Sequence, residues 1–310
     1  MKILITGKDG LVGHALNKEK DHWYNHDFIF VGRNECDLTN ANEVETLFKI
    51  VKPDWVIHTA AKVGGIGGNM SNPAQYFYDN ILMNSHIIHY ACKYNVSKLL
   101  AFSSVCVFPD NLPILKEELM HEGHPFHTQF AYGAAKRAID TQITACKMQY
   151  NIKNYCSIIP CNIFGENDYY DINSGHVLPS LIHKLFIAKR NNEPLYVWGD
   201  GSPKREFIYS KDLALIIMEI IHKKDIPQRI IVSNNEEISI KNIVDILCEV
   251  ANFNGPVIWQ KDKPNGQLKR PSDLSILRSI IGDFKYTNIN EAIRNSYTWF
   301  EDNFLTARKK

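Results

Sequence analysis

The chain has no Cys-x-x-Cys pair. Its seven cysteines, Cys36, Cys92, Cys106, Cys146, Cys156, Cys161 and Cys248, are odd in number and scattered. A disulfide framework or a structural zinc site needs clustered cysteines, so neither is expected. No apolar run reaches the eighteen or so residues that cross a bilayer. The amino terminus, MKILITG, turns polar at once, without the hydrophobic segment and cleavage site of a signal peptide. Charge of one sign is lacking too. Thirty-five Lys and Arg against 34 Asp and Glu leave a formal net charge of +1, which gives no electrostatic reason to expect nucleic acid or an acidic membrane as partner. What remains is a soluble, cytoplasmic chain of 310 residues with ordinary globular proportions, 45% hydrophobic and 22% charged.

What the sequence does contain is alternation. Lys2–Thr6, Phe28–Val31, Trp55–His58, Leu99–Phe102 and Cys156–Ile159 are short apolar runs suited to strands buried on both faces. Between them lie helical patterns, notably Ala74–Tyr94 and Ala134–Tyr150, with Thr39 or Asn40 as the cap of an earlier helix. Strands alternating with helices at this spacing predict an α/β fold with a doubly wound parallel sheet. After about Asn162 the alternation fades into a polar loop, 167–174, then a helix from His176 to Asn192, a strand Leu195–Trp198 and a turn Gly199–Gly201. The division expected is 1–165 for a cofactor domain, with later segments returning to it, and 166–310 for a smaller α/β substrate lobe.

Gly7-Lys8-Asp9-Gly10-Leu11-Val12-Gly13 follows the first strand and opens a helix. Glycine there permits a tight turn, close approach of backbone N–H groups to a pyrophosphate, and tight helix–strand packing. The Gly-x-x-Gly-x-x-Gly spacing resembles the extended short-chain dehydrogenase/reductase superfamily, with its Rossmann-like fold. After the second strand comes Val31-Gly32-Arg33-Asn34. Arginine there suits a 2′-phosphate and favours NADP(H); the alternative is that Arg33 is solvated and Glu35 or Asp37 holds the ribose.

Tyr132 and Lys136 stand four apart on one helical face, where an ammonium can stabilise the phenolate left when tyrosine protonates a reduced carbonyl oxygen. By analogy with the superfamily, Ser104, at the end of a strand read as running from Leu100 to Phe108, is the catalytic hydroxyl and Ser103 its neighbour. Val105-Cys106 stands where the superfamily's dehydratases carry Asp-Glu, so dehydration lacks its acid and base. A thiolate at Cys106 can instead remove the acidic protons flanking a ketone, and His176 can return them. Packing is the bland reading of such a cysteine and histidine.

Longer stretches make the resemblance specific. Ala60-Ala61-Lys62-Val63-Gly64-Gly65, Cys106-Val107-Phe108-Pro109, Pro160 to Gly165, Gly175 to Pro179, Trp198 to Gly201 and Arg205 to Phe207 are similar to the GDP-L-fucose synthase family, as are Lys263 to Gln267 and Trp299-Phe300. The likeness spans essentially the whole chain. It implies NADPH-dependent 3,5-epimerisation and 4-keto reduction of GDP-4-keto-6-deoxy-mannose by a homodimer joined through a four-helix bundle. It implies Ser104, Tyr132 and Lys136 for reduction, Cys106 as base and His176 as acid. Cofactor contacts are implied at Gly7 to Gly13, Arg33, Asp37, Leu38, Ala60, Ala61, Phe102, Ser103, Tyr132, Lys136, Pro160, Asn162, Ile163 and His176. Lys184, Trp198, Arg205, Asn265 and Arg270 are the implied sugar-nucleotide contacts. Asn265 replaces the family's aspartate, and the lysine near Lys269 is one position early or replaced by Arg270. The alternatives are a 4-ketoreductase without epimerase activity and a catalytically silent NADP-sensing protein. No metal is expected: His121, His124 and His127 recur at threes, but Gly123 and Pro125 break any shared helix face.

Overall fold

The first strand, β1 (Lys2–Thr6), serves two cores at once. Ile3 and Ile5 pack into one hydrophobic cluster and Leu4 into another, which is why the run is continuously apolar. The computed structural model describes residues 1–23, 25–263 and 271–309 and repeats this pattern along the chain. After β1 come α1 (Leu11–Glu19), β2 (Asp27–Val31), α2 (Ala41–Val51), β3 (Trp55–His58), α3 (Ile66–Ser71), α4 (Pro73–Lys93), β4 (Lys98–Phe102), α5 (Phe130–Tyr150) and β5 (Asn154–Pro160). The second part adds β6 (Asn162–Phe164), α6 (Val177–Asn191), β7 (Leu195–Trp198), β8 (Lys204–Tyr209), α7 (Ser210–His222), β9 (Arg229–Val232), β10 (Glu237–Ser239), α8 (Ile240–Ala251), β11 (Val257–Gln260), α9 (Ser275–Ile281) and α10 (Ile289–Asp302).

Six strands form a parallel sheet in the order β2-β1-β3-β4-β5-β9. One face carries Val12 and Leu16 of α1, Ile217 of α7 and Leu277 of α9; the other carries Phe48 of α2, Ile87 of α4 and Ile139 of α5. A third core joins α6, α8 and α10 through Leu181, Leu247 and Phe300 to Val197 and Phe207. The strand order reverses at β1, between β2 and β3, so a crevice opens at the carboxyl ends of β1 and β3.

Two boundaries bear most on the site. Helix α5 starts at Phe130, not Ala134, which places Tyr132 in its first turn. Gly133, a weak helix former, blurs the pattern there. It is needed because a Cβ would lie 2.6 Å from the Cys106 carbonyl oxygen and 2.8 Å from Pro125 Cβ. Strand β4 ends at Phe102, as the apolar run Leu99–Phe102 does, and does not run on to Phe108. Ser104 Oγ accepts the Cys106 N–H at 3.3 Å and caps a 3₁₀ turn, Val105–Val107, so the hydroxyl takes a backbone donor that a strand would have used. At α2 the cap is Asn40, whose Oδ1 accepts from the Asn42 N–H at 3.0 Å.

Candidate active site

The glycine loop lies in that crevice. Gly7 has φ +84°, and a Cβ on it would come within 2.8 Å of the Ala60 backbone nitrogen, just after β3. A Cβ on Gly13 would collide with the Gly7 carbonyl oxygen. Gly10 caps α1 without a side-chain bond, leaving the helix's first N–H groups directed outward, where an anion is favoured. This glycine-only cradle fits the diphosphate of a dinucleotide. Beside it the Gly7 and Lys8 N–H groups donate to the Val31 carbonyl at 2.9 and 3.2 Å, tying the loop to the end of β2. Arg33 is exposed. Asp37 Oδ1 accepts from the Thr39 N–H and hydroxyl at 3.0 and 2.7 Å, and these bonds hold its pKa down. Leu38 is buried, its carbonyl accepting from His86.

Next along the sheet's carboxyl edge come the proposed reducing groups. Lys136 is almost wholly buried, and its Nζ donates to the Phe102 carbonyl at 2.7 Å. Loss of hydration pushes its pKa down to about 7. The ammonium stands 6.0 Å from the Tyr132 ring centre. Burial raises the Tyr132 phenol far above its ordinary value, with the nearby Cys106 acting in the same sense; a hydrogen bond with the Ser104 side chain favours ionisation. The phenol is therefore protonated across the physiological range, as a proton donor must be. The two serines have different partners: Ser104 Oγ accepts from the Cys106 N–H, whereas Ser103 Oγ donates to the Lys136 carbonyl at 3.3 Å.

Cys106 sits on the turn after Ser104, and its thiol donates to Gln129 Oε1 at 3.0 Å. Gln129 immediately precedes α5, so the residue that holds the thiol also begins the helix of Tyr132. His176 caps α6 at the end of the 165–175 loop. Burial lowers its pKa, making its protonated form a stronger acid at lower occupancy. That loop is pinned beside β3: the Gly65 N–H donates to the Ser174 carbonyl at 2.6 Å, and a Cβ on Gly64 would strike the Tyr76 hydroxyl. Tyr76 in turn stands edge-on to Tyr132 at 6.5 Å between ring centres. Tyr76 thus lies between the His176 loop and Tyr132.

Pro160 ends β5, and Asn162 and Ile163 lie on β6, with Asn162 Nδ2 donating to the Glu206 carbonyl at 2.9 Å. In the second lobe the structure brings Lys184 and Trp198 together, the ammonium 5.1 Å from the indole ring centre. Burial lowers the Lys184 pKa, while Trp198 presents 48% of its surface. Arg205 follows on β8, across the Gly199–Gly201 turn, its guanidinium donating to the Lys204 carbonyl at 2.7 Å. Asn265 and Arg270 lie outside the described residues.

A family model for the NAD dependent epimerase/dehydratase family matches residues 3–233. A GDP-L-fucose synthase of Dictyostelium discoideum is 36% identical over 99% of this chain and 97% of its own. The chain belongs to the GDP-L-fucose synthase family. A probable GDP-L-fucose synthase of Drosophila melanogaster is 35% identical over 99% of both chains. The crystal structure of a GDP-L-fucose synthetase from Naegleria fowleri bound to NADP matches with TM-score 0.93 at 33% identity, over 99% of this chain and 95% of that one.

Within this GDP-L-fucose synthase fold, two site residues escape the sequence reading. Tyr76 had a signal, because the helical period through Tyr76, Asn80, Asn84, Ile87 and Ala91 marks the buried face of α4. Gln129 had none: its partner is 23 positions away, and nothing local separates it from a surface glutamine.

Proposed function

We propose that this protein converts GDP-4-keto-6-deoxy-D-mannose to GDP-L-fucose, by 3,5-epimerisation followed by NADPH-dependent reduction of the 4-ketone. Family membership supports the substrate and the reaction. The observation that carries the two-step reading is the Cys106 thiol, held by Gln129 on the turn that Ser104 caps, where both Cys106 and Ser104 act on the Tyr132 phenol. Cys106 stands two residues after Ser104, and its partner Gln129 three residues before Tyr132.

In this reading Cys106 removes the protons at C3 and C5, and His176 returns protons from the opposite face. Each time, negative charge collects on the C4 oxygen, where Ser104 and Tyr132 hold it. NADPH, when bound, supplies the hydride to C4. Tyr132 then protonates the same oxygen, and Lys136 stabilises the phenolate that remains. Lys184 and Arg205 suit the diphosphate, and Trp198 offers an apolar wall. Residues 1–165, completed by β9, would hold the cofactor, and most of 166–310 the sugar nucleotide.

A homodimer is part of the proposal. Helices α4 and α5 lie side by side and expose Phe77, Tyr78 and Phe130 by 42, 58 and 58%, and a second copy would cover them as a four-helix bundle. No helix among the described residues is long and apolar enough to cross a membrane, and we place the enzyme in the cytoplasm.

The test is incubation with GDP-4-keto-6-deoxy-mannose and NADPH in heavy water, with NMR of C3, C4 and C5. Deuterium at C3 and C5 with inverted configuration and a reduced C4 is expected. Reduction without exchange would make the protein a 4-ketoreductase alone; NADPH binding without turnover would make it a sensor.

A further inference from the structure

Gln129 stands at the position before α5 where a Ser, Thr, Asn or Asp side chain ordinarily turns back onto a free helix N–H. Its own side chain makes no such bond. The amide is directed instead to the Cys106 thiol, whose sulfur lies 3.0 Å from Oε1, and both side chains are half-buried. The two stretches that carry them are pinned together around this contact. The Phe126 N–H donates to the Cys106 carbonyl at 3.2 Å, and Arg137 Nε donates to the Val107 carbonyl at 3.0 Å. His127 Nδ1 meets Asp110 Oδ2 at 2.6 Å. Residues 104–110 and 126–137 thus form one clamp, with the thiol on one arm and the amide on the other.

A base passes through two states, and an amide can serve both. The thiol needs an acceptor, which Oε1 supplies; the thiolate needs a donor, which Nε2 supplies once the amide turns over. A hydrogen bond to the charged form favours that form. We propose that Gln129 is a positioning residue for Cys106: it holds the sulfur in one direction in both states and stabilises the thiolate through an N–H donor. When the thiolate takes the proton from C3 or C5, the C–H bond breaks, the S–H bond forms, and the electron pair passes to the C4 oxygen. The new S–H then donates to Oε1, the arrangement seen here. The other titratable groups of the clamp are the Tyr132 phenol, which burial keeps neutral, the Arg137 guanidinium and the Asp110–His127 pair. Gln129 reaches the sulfur without bringing a charge. The inference deepens the epimerase reading above and rests on it.

Alkylation of Cys106 by iodoacetamide in the full-length protein, followed from pH 6 to 10 by peptide-resolved mass spectrometry, reads the thiolate without substrate. Gln129→Met keeps the length and removes both bonds; Gln129→Glu keeps the acceptor for the thiol but sets a like charge against the thiolate. The pH of half-maximal alkylation should rise by about one unit in Gln129→Met, the worth of one hydrogen bond to a charged group, and further in Gln129→Glu. The pH profile of deuterium entry at C3 and C5 should move with it, so that the rate at pH 7 falls about tenfold. NADPH affinity, measured by calorimetry, should stay at the parent value. An unmoved midpoint in both variants overturns the inference and leaves the epimerase reading standing. A shift that comes with loss of NADPH binding marks damage to the helix of Tyr132 and overturns it too. A parent protein with no exchange at C3 or C5 overturns the epimerase reading, and with it the use of the thiolate.

Discussion

Lys136 Nζ donates to the carbonyl of Phe102, the last residue of β4, at 2.7 Å. The bond fixes the ammonium at the carboxyl edge of the sheet, and its burial sets the acid–base range of the site, with a pKa of about 7. If the charged form is the one that supports Tyr132, kcat/KM for 4-keto reduction should fall as pH rises through 7. The profile is followed by NADPH oxidation between pH 5.5 and 9. A rate that is flat or still rising at pH 9 would remove Lys136 from this role. Lys136→Met should depress reduction about 10²- to 10⁴-fold, the usual contribution of a proton-transfer group.

The thiol and the phenol should separate the two stages. Cys106→Ser is expected to reduce deuterium exchange at C3 and C5 by at least about 100-fold, the lower end for a lost general base, with NADPH affinity unchanged. Tyr132→Phe is expected to depress reduction by a similar factor while some exchange persists. NMR in heavy water and calorimetry supply the readouts. Exchange at the parent rate in Cys106→Ser would exclude the thiol as base.

His58 carries a pH signature of a different kind. It is fully buried between β1 and α4, with Nδ1 at 2.7 Å from Thr6 Oγ1 and Nε2 at 3.1 Å from Asn84 Oδ1. Burial, and secondarily the Lys136 charge, push its pKa down to about 3. The unfolded chain takes up the proton near pH 6.5, and the folded chain does so only near 3. Stability is thus present above pH 6.5 and lost as pH falls below it, by about 1.4 kcal/mol per unit for this residue. Urea unfolding at pH 7, 6 and 5 should show a steeper loss in the parent than in His58→Gln. Equal slopes would contradict this account.

The exposed aromatics of α4 and α5 test the assembly. Phe77→Glu combined with Phe130→Glu places like charges on a face that a second copy would cover, and light scattering should shift from dimer to monomer. A parent protein that is already monomeric at working concentration would dispose of the bundle.

Much of the fold was legible in advance because it follows local rules. Continuous apolar runs marked β1 and β3, since strands buried on both faces tolerate little else. The three glycines of the loop were readable for the same reason: each answers a steric demand set within a few residues or by the adjacent strand end. The start of α5 was not legible, because Gly133 is chosen for its clearance from Cys106 and Pro125 against its helical preference. The apolar run Leu99–Phe102 gave the end of β4, and the longer reading to Phe108 overshot it because the Ser104 hydroxyl takes the donor that would have continued the strand.

The residues by themselves determined the alternation of strands and helices as far as β5, the glycine cradle, and the four-residue spacing that sets Tyr132 and Lys136 on one helical face. Only the tertiary structure decided what these groups touch: Gln129 on the Cys106 thiol, Phe102 on Lys136, Tyr76 between Tyr132 and the His176 loop, and Glu35 on Lys8. Helical and strand periods reach only a few positions, whereas the partners of Cys106 and Lys8 lie 23 and 27 positions away. Such pairs come into being when separate segments meet at the carboxyl edge of the sheet.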